Sequence, residues 1–66
     1  MRSNEPQQIG RVIETLPSLQ YRVQIGDKII RCHAAGKMVM NKIRVIVGDR
    51  VSVLVSGEIG RITRRL

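Results

Sequence analysis

Arg22 and Arg31 are the residues whose spacing says most about chemistry in this 66-residue chain. Tyr21, Val23 and Ile25 alternate with Arg22 and Gln24, the period of a strand with one buried face. Gly26-Asp27 follows, and a glycine-first pair suits a two-residue type II′ hairpin turn. That turn sets Ile25 against Lys28, Val23 against Ile30, Arg22 against Arg31 and Gln20 against His33. The faces then agree across both strands. Tyr21, Val23, Ile30, Cys32 and Ala34 share the buried side, whereas Arg22, Gln24, Ile29, Arg31 and His33 share the outer one. Like charges directly opposite destabilise a sheet. A bound phosphate, which takes bidentate contacts from guanidinium groups, would offset that cost; two solvated arginines splayed apart are the plainer alternative.

Further cations fall where they extend such a site. Lys37, Lys42 and Arg44 lie in the 35–44 segment together with Asn41, and Arg61, Arg64 and Arg65 lie on and beyond the last strand expected. Twelve Lys and Arg against five Asp and Glu give a formal net charge of +7, a field that draws polyanions. A basic groove of this kind tracks a nucleic-acid backbone without sequence preference and weakens steeply with salt. His33, on the outer face near Gln20 and Arg31, is suited to stacking on a base or bonding a phosphate. Tyr21 faces the core, and the chain has no Phe or Trp, so the aromatic platforms of single-strand binders are missing. Recognition of a folded RNA surface through its backbone follows.

Other chemistries have little footing. Glu5, Glu14, Asp27, Asp49 and Glu58 are dispersed, and no nucleophile and base stand at a usable spacing, so no enzyme is expected. Cys32 is predicted inward, as a small hydrophobe rather than a nucleophile. One Cys and one His do not make a four-ligand zinc site or a disulfide, and no metal or cofactor is implied. Gly57-Glu58-Ile59-Gly60 has the letters of a GXXG backbone clamp but lies between strands and carries an acid. No stretch approaches the roughly 20 apolar residues of a membrane span, and Met1 to Gln8 lacks the apolar run of a signal peptide. The chain is expected to be reduced, cytoplasmic and monomeric.

These side chains need a small scaffold, since a chain near this length buries only about 60% of its unfolded surface and supports one core. With 42% apolar residues and a single aromatic, that core is aliphatic. Residues 1–7 are polar and aperiodic and read as a flexible tail; residues 8–66 form the single domain. A first strand runs from Ile9 to Leu16 and ends at Pro17-Ser18; the hairpin described above supplies the second and third. In 35–44, Met38 and Lys42 would stack at i and i+4 of a short helix or helical turn, although Val39 and Ile43 fit a strand equally well. Val47-Gly48-Asp49 is a turn. Val51, Val53 and Val55 then alternate with Arg50, Ser52 and Leu54 in a fourth strand. Ser56-Gly57 turns into a fifth, Ile59 to Thr63, with Ile62 opposite Val51. Five strands with a short helix between the third and fourth make an all-β OB-fold barrel, with an SH3-like barrel as the rival.

Several strings resemble a known family. Gly10-Arg11-Val12-Ile13-Glu14-Thr15-Leu16-Pro17, Tyr21-Arg22-Val23, His33-Ala34-Ala35-Gly36-Lys37-Met38, Ile43-Arg44-Val45, Gly48-Asp49-Arg50-Val51 and Gly60-Arg61-Ile62 are similar to bacterial and organellar translation initiation factor one, from about Ile9 to Arg64. The resemblance implies an S1-like OB-fold that binds the small ribosomal subunit at the aminoacyl decoding site. There it would contact ribosomal RNA and a ribosomal protein, work with the other two initiation factors, and bias the subunit toward initiator tRNA. By position it assigns RNA contacts to Arg22, Lys37, Arg44, Arg61 and Arg64, and matches His33. The chain departs at Val39 and Met40, where the family commonly has two basic residues, and at Lys42, often aromatic there. The turns at Gly26-Asp27 and Ser56-Gly57 are shorter than the family's. Two other readings are a general S1-like or cold-shock-like RNA chaperone and a protein-interaction barrel whose charge only provides solubility.

Overall fold

The computed structural model describes residues 7–66. In chain order it holds β1 (Gln7–Leu16), β2 (Gln20–Ile25), β3 (Lys28–Ala34), α1 (Gly36–Met40), β4 (Arg50–Ser56) and β5 (Ile59–Arg65). The strands close into a barrel in the order β1-β2-β3-β5-β4. All neighbours are antiparallel except β3 and β5, which run parallel, with Arg31 against Ile59, Cys32 against Gly60, His33 against Arg61 and Ala34 against Ile62. The expected five-strand OB barrel with its helix between the third and fourth strands is the observed architecture.

The β2–β3 hairpin has the register the alternation requires, from Ile25–Lys28 to Gln20–His33. Gly26 has φ +60° and Asp27 is outside the positive-φ region, as a type II′ turn demands. Inward residues from every strand fill the barrel: Val12, Tyr21, Val23, Ile30, Cys32, Val51, Val53 and Ile62, with Met38 of α1 plugging one end. Small-radius closure leaves no room for a side chain at two inward positions. A Cβ on Gly60 would sit 2.7 Å from both Cys32 Sγ and Val53 Cγ1, and one on Gly10 2.5 Å from Val23 Cγ1.

The helix ends in a Schellman arrangement. Ile43 N–H donates to Met38 O at 2.9 Å and Lys42 N–H to Val39 O at 3.1 Å, while Lys42 takes a left-handed φ of +56°. Lys42 is therefore the residue that reverses the chain, and the predicted Met38–Lys42 helical stack does not form. Met38 goes to the core instead. Beyond it, the 46–49 turn is tied to β1 by Gly48 N–H to Val12 O (2.8 Å) and Val12 N–H to Asp49 O (2.9 Å). The Asp49 carboxylate accepts from Ile46 N–H at 3.0 Å, closing the same turn from its far end.

Four expectations shift. The tail expected at 1–7 lies outside the described residues except for Gln7, which belongs to β1. The last hairpin turns on Gly57-Glu58, not Ser56-Gly57, so Ser56 faces Ile59 and Ile62 faces Val53 rather than Val51. A bulge at Thr63 then brings Arg64 opposite Ser52 and Arg65 opposite Val51. Ser52, placed outward by simple alternation, is only 2% exposed, because Gln7 Nε2 donates to its hydroxyl and Thr63 Oγ1 to its carbonyl.

Two measurements test this packing. Gly60→Ala should cost about 1–3 kcal/mol in urea unfolding through overpacking. Burial pushes the Cys32 thiol up to about 11, despite an opposing hydrogen bond from the Gly60 backbone. The native state therefore holds this proton where the unfolded chain has lost it. Stability from this group is present in full below pH 9 and is lost as pH rises toward about 11. Native Cys32 should accordingly resist alkylation at pH 8 and react quickly in denaturant.

Candidate nucleic-acid interface

The outer surface of β2, β3 and β5 gathers four of the expected site residues. Arg22 and Arg31 face each other across the β2–β3 hairpin. His33 is opposite Gln20 on one side and Arg61 on the other, and Arg22, Arg31, His33 and Arg61 are all exposed. Ile59, opposite Arg31, is 55% exposed and lies at the centre of this face, lining shallow depressions shared with Arg22 and Arg31, with Gln20 and His33, and with Arg61. The result is a cationic rim around an apolar floor that could take a ribose or base edge while the arginines take phosphates.

Arg22 is not unpartnered. Its Nη1 donates to Glu14 Oε1 at 2.8 Å, Glu14 being its neighbour across β1–β2, and both side chains are about half exposed, 51% and 50%. The opposition of Arg22 and Arg31 is thus already offset on one side by a carboxylate; Arg31 forms no ion pair, and the acid nearest it on this face is Glu58, which lines the depression it shares with Arg22. Exposed pairs of this kind contribute about 0–1 kcal/mol, so Glu14 competes only weakly with an incoming phosphate. Sequence reading missed both Glu14 and Ile59. Glu14 is displaced from strict alternation by the bulge between Val12 and Glu14, and Ile59 meets Arg31 only through the non-local β3–β5 pairing.

Lys37, Asn41, Lys42 and Arg44 form a second group at the helix end of the barrel. Lys37 is on α1, Asn41 caps it, Lys42 is the left-handed residue after it, and Arg44 lies in the connection to β4. Of the cations in the 35–44 segment, only Lys37 lies on the helix, and Lys42 and Arg44 follow its end. Lys42 and Arg44 line a depression with Leu19, Tyr21, Met38, Val39 and Ile43. Met40 is 83% and Val39 46% exposed, so the two positions that depart from the family pattern present apolar surface to solvent. Arg65 donates from Nη1 to Arg44 O at 3.0 Å and helps hold that connection rather than joining the β2–β3–β5 face. Arg64, exposed opposite Ser52, lies on neither group's surface. Among the described residues no cluster of three metal-ligating side chains occurs, and no helix is long and apolar enough to cross a membrane.

A closed five-strand barrel with a helix between β3 and β4 and arginines across its β2–β3–β5 face defines a small basic OB-fold protein. No family model matches the chain. Among solved structures it is similar to translation initiation factor one from the Wolbachia endosymbiont strain TRS of Brugia malayi, with 40% identity and a TM-score of 0.77 over 92% of this chain and 77% of that one. The chain belongs to the translation initiation factor one family. It is also similar to YjeQ from Thermotoga maritima (25% identity, TM-score 0.79, 92% of this chain) and to YloQ, a circularly permuted GTPase (25%, 0.79, 100%). It spans only 23% and 25% of those two proteins, so the likeness is to one OB-fold portion of each.

Lys42→Gly separates stability from charge at the helix end. Relief of the left-handed lysine should raise stability by about 0.5–1 kcal/mol. The salt slope of RNA binding, read by fluorescence anisotropy, should fall by about 0.7 to 0.9 if Lys42 contacts a phosphate.

Proposed function

We propose that the chain works in translation initiation by binding the small ribosomal subunit at the aminoacyl decoding site. Arg22, Arg31, His33 and Arg61 hold ribosomal RNA backbone on the β2–β3–β5 face, and Lys37, Asn41, Lys42 and Arg44 extend the contact around the helix end. Residues 8–66 act as one RNA-binding domain in the cytoplasm, alongside the other initiation factors and against a ribosomal protein, with no catalytic step. Occupation of the site excludes elongator tRNA and favours initiator tRNA at the neighbouring site.

The single observation that carries this reading is the convergence of those four side chains on one outer face, in a chain whose family is that of a translation initiation factor. The four come from three strands, one of them distant in sequence, and the outer face they share has Glu14 as its ion-paired acid. The absence of Phe and Trp disfavours stacking on unpaired bases and supports recognition of folded RNA by its backbone.

Sedimentation with purified ribosomal subunits is the direct test. The chain should pellet with small subunits and remain in the supernatant with large subunits or free single-stranded RNA; equal retention by any RNA refutes the decoding-site assignment. Arg31→Thr with Arg61→Thr should keep the thermal midpoint and flatten the salt dependence of subunit binding by about 1.4 to 1.8, two phosphate contacts' worth. Val39→Arg with Met40→Lys, restoring the family's basic pair, should tighten subunit binding roughly three- to tenfold at low salt.

A further inference from the structure

We propose that Arg11 and Arg50 form a second phosphate-binding site, on the opposite side of the barrel from β3, that takes an RNA backbone segment separate from the one on the β2–β3–β5 face. Arg11 of β1 and Arg50 of β4 are direct cross-strand partners, and both are exposed. This is the same like-charge opposition as Arg22 and Arg31, but here no acid answers it: the ion pair formed among the described residues is Arg22 with Glu14. The nearest carboxylate in sequence, Asp49, is turned to the Ile46 N–H. On its other side Arg11 faces Gln24, which is neutral.

The two opposed pairs belong to one belt. Arg61 is diagonal to Arg31 across β3–β5, Arg31 faces Arg22, Arg22 is diagonal to Arg11 across β1–β2, Arg11 faces Arg50, and Arg50 is diagonal to Arg64 across β4–β5. Each step is a direct or diagonal neighbour, within about 8 Å at the β-carbons. In a ring ordered β1-β2-β3-β5-β4, the β1–β4 seam lies across the barrel from β3. A single RNA surface that covers Arg31 and Arg61 therefore leaves Arg11 and Arg50 pointing away from it. Phosphates from a second segment are the ligand that two unopposed guanidinium groups at this spacing take. The barrel then sits between two RNA backbones and ties them together.

This rests on the RNA-binding reading above, and the two fail separately. The probe is a 12-base-pair RNA duplex titrated calorimetrically at low salt. Wild-type protein should bind two duplexes, Arg11→Thr with Arg50→Thr one, and Arg31→Thr with Arg61→Thr one. The first variant should lose roughly three- to tenfold in small-subunit affinity and flatten its salt slope by about 1.4 to 1.8. Its thermal midpoint should hold or rise, because a like-charge opposition is removed. Arg11→Lys with Arg50→Lys retains the charge and should keep the slope, which guards against loss of fold as the explanation. One duplex per wild-type chain, with an unchanged slope in the Arg11→Thr, Arg50→Thr variant, overturns the second site while leaving subunit binding intact. Failure of wild-type protein to pellet with small subunits overturns the parent reading instead.

Discussion

The parallel pairing of β3 with β5 turns an open sheet into a barrel, and each later feature depends on it. Without it, the strands form one open antiparallel sheet, β3-β2-β1-β4-β5, with two unpaired edges and an aliphatic face that nothing closes over. The pairing is possible because the chain crosses the barrel end through α1, with Ala35 N–H donating to Ile62 O at 2.8 Å where the two strands meet. It also demands Gly60, since Cys32 and Val53 approach from both sides where a side chain would be. The same contact that seals the core brings Arg61 beside His33 and Ile59 beside Arg31, so core closure and assembly of the interface are one event.

Electrostatics runs against this closure. Opposed arginines on two pairs of strands are a burden that a scaffold built for stability alone would shed. The barrel carries them because its aliphatic interior is continuous and its polar interruptions are satisfied: Ser52, buried in β4, is bonded to Gln7 and Thr63, and no buried side-chain polar atom among the described residues lacks a partner. Stability supplied inside offsets the repulsion on the surface.

Local pattern was readable in the sequence wherever it was strictly periodic. The β2–β3 hairpin, its type II′ turn, the inward set from Tyr21 to Ala34 and the opposition of Arg22 and Arg31 all follow from alternation and one glycine. Legibility failed where the backbone departs from period two. The bulge at Ile13 hid the Glu14–Arg22 ion pair, and the bulge at Thr63 with the turn on Gly57-Glu58 moved Ile62 from Val51 to Val53. The 35–44 segment resisted because its end is set by hydrogen bonds around a left-handed lysine, a conformation that lysine's own propensity does not announce. Ile59 and the Arg11–Arg50 seam needed pairings between distant strands. The resemblance to an initiation factor, by contrast, lay in short strings that survive both bulges, and the 40% identity to a solved family member agrees with it.

Closure has one more effect, on how the molecule meets other chains. A ring of five strands leaves few unpaired backbone groups along its sides, so there is little edge for a foreign strand to join. Exposed Ile9, Ile29 and Ile59 in an open sheet would invite stacking into larger assemblies. Here they sit on a curved wall whose neighbours are arginines, and copies of the chain repel where those isoleucines would touch.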